Sequence, residues 1–221
     1  MKPLAAVSWS GGKDGCLALH RVRSEFRLAA LITMLTEDGS RTRSHGLRPE
    51  IIERHAAGLG VEAILGTASW ESYETEFRRA LTTARDRGIS HVIFGDIFPD
   101  PHREWVERMC RETRLTAVLP LWGDPTQQLL EEFLACGGQA RIVTVRASVL
   151  DASWLGRRLD REAAAGLAEL GVDPCGERGE YHTLATGFPG LIGRLQTQEC
   201  GHILHDGCWL LDLTLDLTLA P

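Results

Sequence analysis

The chain has 221 residues, 43% hydrophobic and 24% charged, with a formal charge of -6 from 30 acidic and 24 basic residues. That length fits one large domain, or a nucleotide domain with a small appendage, and that composition excludes a disordered chain. The acidic balance argues against a broad nucleic-acid surface and makes a nucleic-acid partner an unfavoured expectation.

From the N-terminus, the apolar run Leu4–Trp9 is too short for a signal peptide and reads as a first strand, closed by Ser10-Gly11-Gly12. Further strands are predicted at Leu28–Leu35, Ala63–Thr67, His91–Phe94 and Ala117–Leu121. Between them, Cys16, Leu19, Val22 and Phe26 recur at three- and four-residue steps. So do Phe77, Ala80, Leu81 and Ala84, and then Leu129, Leu130, Phe133 and Leu134. Each set puts one apolar stripe on a helix. Alternating strands and helices predict an α/β fold, with an open parallel sheet covered by helices on both faces.

The pattern changes at Gly137-Gly138. Ala140–Val145 reads as a strand, Asp160–Leu170 as a polar helix, and Gly171–Gly190 as a loop rich in glycine, proline and acids. The segment Leu211–Leu219 alternates apolar and polar residues, as a half-buried strand does. The division expected is therefore residues 1–136, a nucleotide-binding domain, and residues 137–221, a smaller C-terminal α+β domain that binds substrate. No stretch approaches a membrane span, and the six cysteines include no CxxC pair. Reduced thiols in the cytoplasm are expected.

The chemistry concentrates in Ser10-Gly11-Gly12-Lys13-Asp14, directly after a strand and before a helix. Adjacent glycines let backbone N–H groups approach a phosphate, and the helix directs its positive end to the same point. Ser10 adds a hydroxyl and Lys13 an ammonium; Lys13 and Lys2 are the only lysines in the chain. Asp14 suits either Mg²⁺ or a helix cap. The loop is not a Walker loop, because Val7 and Asp14 occupy the required glycine and hydroxyl positions, and it is not GxGxxG. Asp96 ends a predicted strand, where open α/β sheets place ligand contacts, or caps the next helix. Cys200, His202, His205 and Cys208 offer zinc-type ligands, yet His205-Asp206-Gly207-Cys208 reads better as a hairpin turn. Cys16, Trp9, Trp70, Trp122 and Trp209 read better as buried packing than as nucleophile or stacking platforms.

Ser10-Gly11-Gly12-Lys13-Asp14 resembles the signature of the N-type ATP pyrophosphatases, the PP-loop superfamily. Over nearly the whole chain the sequence is similar to the diphthine–ammonia ligase family and its bacterial relatives. Gly95-Asp96-Ile97, the helix positions Arg103, Glu107 and Cys110, the pair Leu121-Trp122, and above all Asp173–Thr183 carry that likeness. It implies a Rossmann-like, adenine nucleotide alpha hydrolase-like fold. It assigns ATP and pyrophosphate to Ser10, Gly11, Gly12, Lys13, Asp14, Gly15, Gly95 and Asp96, with Mg²⁺ at Asp14. It places the acceptor at Arg103, Glu177, Glu180, His182 and Thr183, and gives Lys13 and Glu180 the catalytic roles. Three positions depart from the family: Gly15 where serine is usual, Trp105 where a second arginine is frequent, and Arg178 where small or amide residues are usual.

The implied reaction is adenylation of an acceptor carboxylate, with release of pyrophosphate, followed by amidation with free ammonia. The acceptor would be a modified protein side chain or another carboxylate, and a homodimer is a further expectation. The rivals are a PP-loop tRNA-modifying enzyme and a nucleotide sensor without turnover.

Overall fold

The computed structural model describes residues 1–191 and 195–216. Its first half runs β1 (Leu4–Ser8), α1 (Lys13–Val22), β2 (Arg27–Leu35), α2 (Pro49–Leu59), β3 (Glu62–Thr67), α3 (Tyr73–Asp86), β4 (His91–Ile93), α4 (Asp100–Glu112) and β5 (Thr116–Val118). Helix α5 (Thr126–Ala135) leads into β6 (Gln139–Arg146), α6 (Arg161–Glu169), β7 (Tyr181–Gly187), β8 (Thr197–His205) and β9 (Cys208–Leu215).

The first five strands form one parallel sheet in the order β3-β2-β1-β4-β5. Chain order reverses between β1 and β4, so the loops leaving those strands diverge and open a crevice at their carboxyl ends. The apolar stripe of α3 is fully buried at Phe77, Ala80, Leu81 and Ala84, and packs with Val106, Met109 and Cys110 of α4 on one face of the sheet. On the other face, α1, α2 and α5 bury Leu17, Ile51, Ile52, Leu129 and Phe133. This is the open α/β architecture that the strand-helix alternation predicts.

The remaining strands form a second, antiparallel sheet in the order β7-β6-β9-β8, and its apolar face shares the core that covers α1 and α2. The β8–β9 hairpin turns at Asp206 and Gly207, both with positive φ (48° and 75°), the geometry of a two-residue type I′ turn. Asp160 caps α6 by accepting from the N–H groups of Glu162 and Ala163.

Differences from the sequence reading have local causes. The fifth strand stops at Val118, two residues before Pro120, which has no N–H to offer a sheet. The predicted loop Gly171–Gly190 contains β7, whose pairing with β6 outweighs its polar residues and flanking glycines. Strand β9 ends at Leu215, and residues 217–219 of the expected strand lie outside the described residues. Helices α2 and α4 were not given by an apolar stripe. No helix among the described residues is long and apolar enough to cross a membrane.

Two polar fastenings hold the sheets together. Asp212 of β9 accepts from Arg41 (2.9 Å) and from Arg48 through two nitrogens (3.0 and 2.9 Å). His55 of α2 accepts from Trp9 Nε1–H through Nδ1 (3.2 Å), which leaves Nε2–H to donate to Ala185 O of β7 (2.9 Å). Burial lowers the His55 pKa to about 4, against the opposing pull of its bond to Ala185 O. The unfolded chain therefore binds the His55 proton first as pH falls. The stabilisation is complete above the ordinary histidine value and is lost as pH falls through about 4. A shift of that size corresponds to roughly 3 kcal/mol. Denaturant unfolding at a series of pH values should show wild type losing stability between pH ~6.5 and ~4 faster than His55→Gln does.

Candidate active site

The loop after β1 is shaped by what its glycines lack. Gly11 has φ +87°, and a Cβ there would also lie 2.8 Å from the Leu47 side chain. At Gly12 a Cβ would lie 2.7 Å from His45 Nε2 and 3.3 Å from Thr183 O. A side chain at either position would press on Leu47 or His45 and crowd the approach of the second sheet. Three contacts then fix it. Ala185 N–H donates to Gly11 O (2.8 Å), Lys13 N–H to Thr183 Oγ1 (3.1 Å), and Lys13 Nζ to Cys175 O (2.5 Å).

Lys13 is 2% exposed. Its ammonium also bonds Asp14 Oδ2 (2.8 Å) and lies 5.5 Å from the centre of the Tyr181 ring. Burial opposes the charge, but Asp14, Cys175 and Tyr181 together outweigh it and the Lys13 pKa stands above its ordinary value. An ammonium has three donors, and these bonds use two. Beside it, Ser10 Oγ lies 3.3 Å from His45 Nε2, and the His45 and His182 rings are 4.6 Å apart. Both imidazoles are neutral: burial lowers His45 well below its usual value and His182 to about 4, with Lys13 adding to both.

These groups border a cavity of about 340 Å³ at the carboxyl ends of β1, β2 and β4. Ser10, Lys13, Asp14 and Gly15 line one side, and Glu177, His182 and Thr183 face them from the second half. Gly95 and Asp96 close the floor, and Tyr73, Phe77, Phe94 and Trp105 form an apolar wall.

The acids of the 173–183 segment have divided tasks. Asp173 accepts from the N–H groups of Cys175 and Glu177 and from Thr126 Oγ1. Glu180, 5% exposed, accepts from the N–H groups of Asp173 (3.2 Å) and Arg178 (3.0 Å). Both carboxylates hold the loop in shape, and neither lines the cavity. Glu177 does, and burial raises its pKa to about 8, with Asp14 and Asp96 adding to the rise and Lys13 opposing it.

The structure corrects the expected placement of Glu180, whose oxygens are taken up by its own loop. It also leaves Arg103 outside the cavity, 44% exposed, paired with Glu107 (2.7 Å) and lying over Trp122. Gly95 is a packing position as well as a lining one, because a Cβ there would sit 2.7 Å from Gly15 N and 2.8 Å from Asp14 C. Cys16 is a buried thiol whose pKa burial pushes up, and Trp9 is buried. Trp70, expected inside, is 79% exposed. Cys200, His202, His205 and Cys208 are spread along the β8–β9 hairpin, and no metal-holding group of three such residues occurs among the described residues.

Sequence reading missed Arg43, His45, Tyr73 and His102 as lining residues. His102 Nδ1 lies 2.7 Å from Asp96 Oδ1, and that bond raises the His102 pKa. The only signal available was the cluster of arginine and histidine in Arg41–His45, just after a predicted strand.

A parallel α/β sheet with a glycine loop and buried lysine at its switch point defines a nucleotide-binding protein of the PP-loop class. The diphthamide synthase N-terminal domain model matches residues 1–117 and the C-terminal domain model residues 125–213. The chain belongs to the diphthamide synthase family. Among curated proteins it is 30% identical to the diphthine–ammonia ligase of Rattus norvegicus, over 89% of this chain and 83% of that protein. The Homo sapiens enzyme of that name is 35% identical over 53% of this chain and 45% of its own length. The Schizosaccharomyces pombe enzyme is 29% identical over 86% of this chain, which spans 35% of that longer protein. Among solved structures, a predicted subunit of tRNA methyltransferase from Methanocaldococcus jannaschii aligns at TM-score 0.45 and 18% identity, over 84% of this chain and 97% of that one.

The glycine geometry sets a contrast. Gly95→Ala forces a Cβ against backbone and should cost about 1–3 kcal/mol. Gly15→Ala meets Trp9 only at 3.4 Å, ordinary contact. It should change stability by less than about 1 kcal/mol. Denaturant melts of the two variants compare them directly.

Proposed function

We propose that this chain is an ATP-dependent ligase that adenylates an acceptor carboxylate and amidates it with ammonia. The observation that carries this reading is the cavity itself: a phosphate-type loop with a buried ammonium shares one open cleft with a desolvated carboxylic acid, Glu177. The names of the curated relatives support diphthine as the acceptor and ammonia as the nitrogen source. Residues 1–136 bind ATP in this reading, and residues 137–221 shape the acceptor side.

The chemistry divides into two displacements. An acceptor carboxylate oxygen attacks the α-phosphorus of ATP, and the bond to the β-phosphate oxygen breaks to release pyrophosphate. Ammonia then attacks the acyl carbon, AMP leaves, and the nitrogen loses a proton. Ser10, the free N–H groups of the loop and the third Lys13 donor stabilise the phosphates by position and charge. Asp14 and Asp96 suit Mg²⁺, which binds through one or two carboxylates together with substrate phosphates. The ion would neutralise phosphate charge there. Glu177 accepts the proton from nitrogen, whereas Glu180 keeps the loop in shape. The apolar wall of Tyr73, Phe94 and Trp105 suits a flat base.

With α-labelled ATP, acceptor and ammonia, the expected products are AMP and pyrophosphate. ADP would defeat the reading, and binding without product would favour the sensor. Lys13→Ala should lower kcat/KM by about 2–4 kcal/mol of transition-state stabilisation.

Hydroxylamine in place of ammonia removes the nucleophile's own ionisation from the pH profile. Amidation should then rise as pH rises through about 8, where Glu177 ionises. Glu177→Gln should lose that limb and keep ATP binding. Glu180→Gln should keep the limb and lower the melting temperature instead; the reverse pattern would restore Glu180 as the acid.

A further inference from the structure

Three arginines lie within one short segment after β2, and they have different fates. Arg41 and Arg48 both pair with Asp212 of β9. Arg43, between them, lines the cavity and makes no ion pair among the described residues. Its guanidinium carbon lies 3.9 Å from the centre of the Trp70 ring and 5.9 Å from that of Tyr73. Nη1 donates to Ala68 O (2.5 Å), while Nε is buried without a partner among the described residues. The segment is anchored further by Arg43 N–H donating to Met34 O (3.2 Å).

A half-buried guanidinium held by an aromatic face and one carbonyl is oriented but not neutralised. Among the described residues Arg43 and Lys13 are the cationic side chains on the cavity wall apart from its histidines, and Lys13 is already engaged by Asp14 and Cys175 O. Arg43 keeps donors available in a rigid fork. Trp70 is 79% exposed, and its ring covers one face of the Arg43 guanidinium.

We propose that Arg43, stacked on Trp70, is the anion-receiving, specificity-determining residue of this cavity, and that it takes an oxyanion group, a carboxylate or a phosphate. Trp70 is its positioning residue. The proposal rests on the ligase reading and adds which residue of the wall receives substrate charge.

The test uses the full chain. Calorimetry measures binding of MgATP and, separately, of inorganic pyrophosphate, and steady-state kinetics gives KM for a diphthine-bearing peptide. Arg43→Gln should weaken at least one of the three by about 10- to 100-fold, the range for a lost charge-assisted bond. Weakened MgATP or pyrophosphate binding identifies a phosphate; a raised peptide KM with intact nucleotide binding identifies a carboxylate. Trp70→Ala should reproduce a part of the loss and Trp70→Phe should restore it, a rescue that loss of fold would not show. The proposal is overturned if Arg43→Gln leaves all three within about twofold of wild type. Should Arg43→Gln fail to fold, Arg43→Lys decides: wild-type values in every arm overturn the proposal, and a loss in any arm sustains it. Wild type that binds pyrophosphate but yields no AMP would defeat the ligase reading and still leave Arg43 testable in the binding arm.

Discussion

The site depends on the closure of β7 against the loop after β1. Ala185 N–H to Gly11 O and Lys13 N–H to Thr183 Oγ1 tie β7 to the loop and the start of α1, and Lys13 Nζ to Cys175 O ties the segment before β7 to the same place. Each bond alone contributes on the order of 1 kcal/mol net, but leaving one of these buried groups unpaired would cost more. The second sheet therefore does more than add a wall to the cavity. It sets the conformation of the loop, so changes in β7 reach the glycine loop through direct hydrogen bonds rather than through a ligand.

Charge follows from the same closure. Bringing the 173–183 segment over the loop places Glu177 near Asp14 and Asp96, with Lys13 paired to Asp14 and His102 to Asp96. Burial is the main reason that Glu177 and Asp14 both stand above the usual carboxylate range, and the neighbouring carboxylates add to it; among the described residues Glu177 accepts no hydrogen bond like those that hold Asp173 and Glu180. The neutral His45 and His182 belong to the same balance, since a charged imidazole there would repel Lys13.

What the sequence made legible follows the range of the interactions involved. The parallel sheet, the stripes of α1, α3 and α5, and the glycine loop are local patterns, and local periodicity or strand-loop-helix order reveals them. Glu177 and Glu180 are three positions apart in one acidic run. Composition could not separate the acid that faces the cavity from the one that holds the loop, because the path of the backbone decides which carboxylate meets the amides of Asp173 and Arg178. Arg43, His45 and His102 stayed hidden for a related reason. Arg43 and His45 sit in the connection between β2 and α2, and His102 in the first turn of α4, a helix with no apolar stripe to announce it; only the tertiary fold brings the three to one cavity. Trp70 inverted the usual expectation for tryptophan because its neighbour Arg43, rather than the core, covers one of its faces.

The glycines link these observations to catalysis. Gly12 admits His45 at a distance that a Cβ would forbid and β7 at one that it would crowd, and Gly95 comes up against the backbone of Asp14 and Gly15 where a Cβ could not fit. Two close approaches from different sheets thus confine a short loop whose only covalent freedom was conferred by the same residues. A loop confined before ligand arrives does not have to be ordered by it, so the entropy of arranging donors around a phosphate is met during folding. Gly15 fits that logic. In a loop already fixed from both sides, the missing hydroxyl removes a single donor and leaves the placement of the backbone donors unchanged, since the contacts that set them lie at Gly11, Gly12, Lys13 and Gly95.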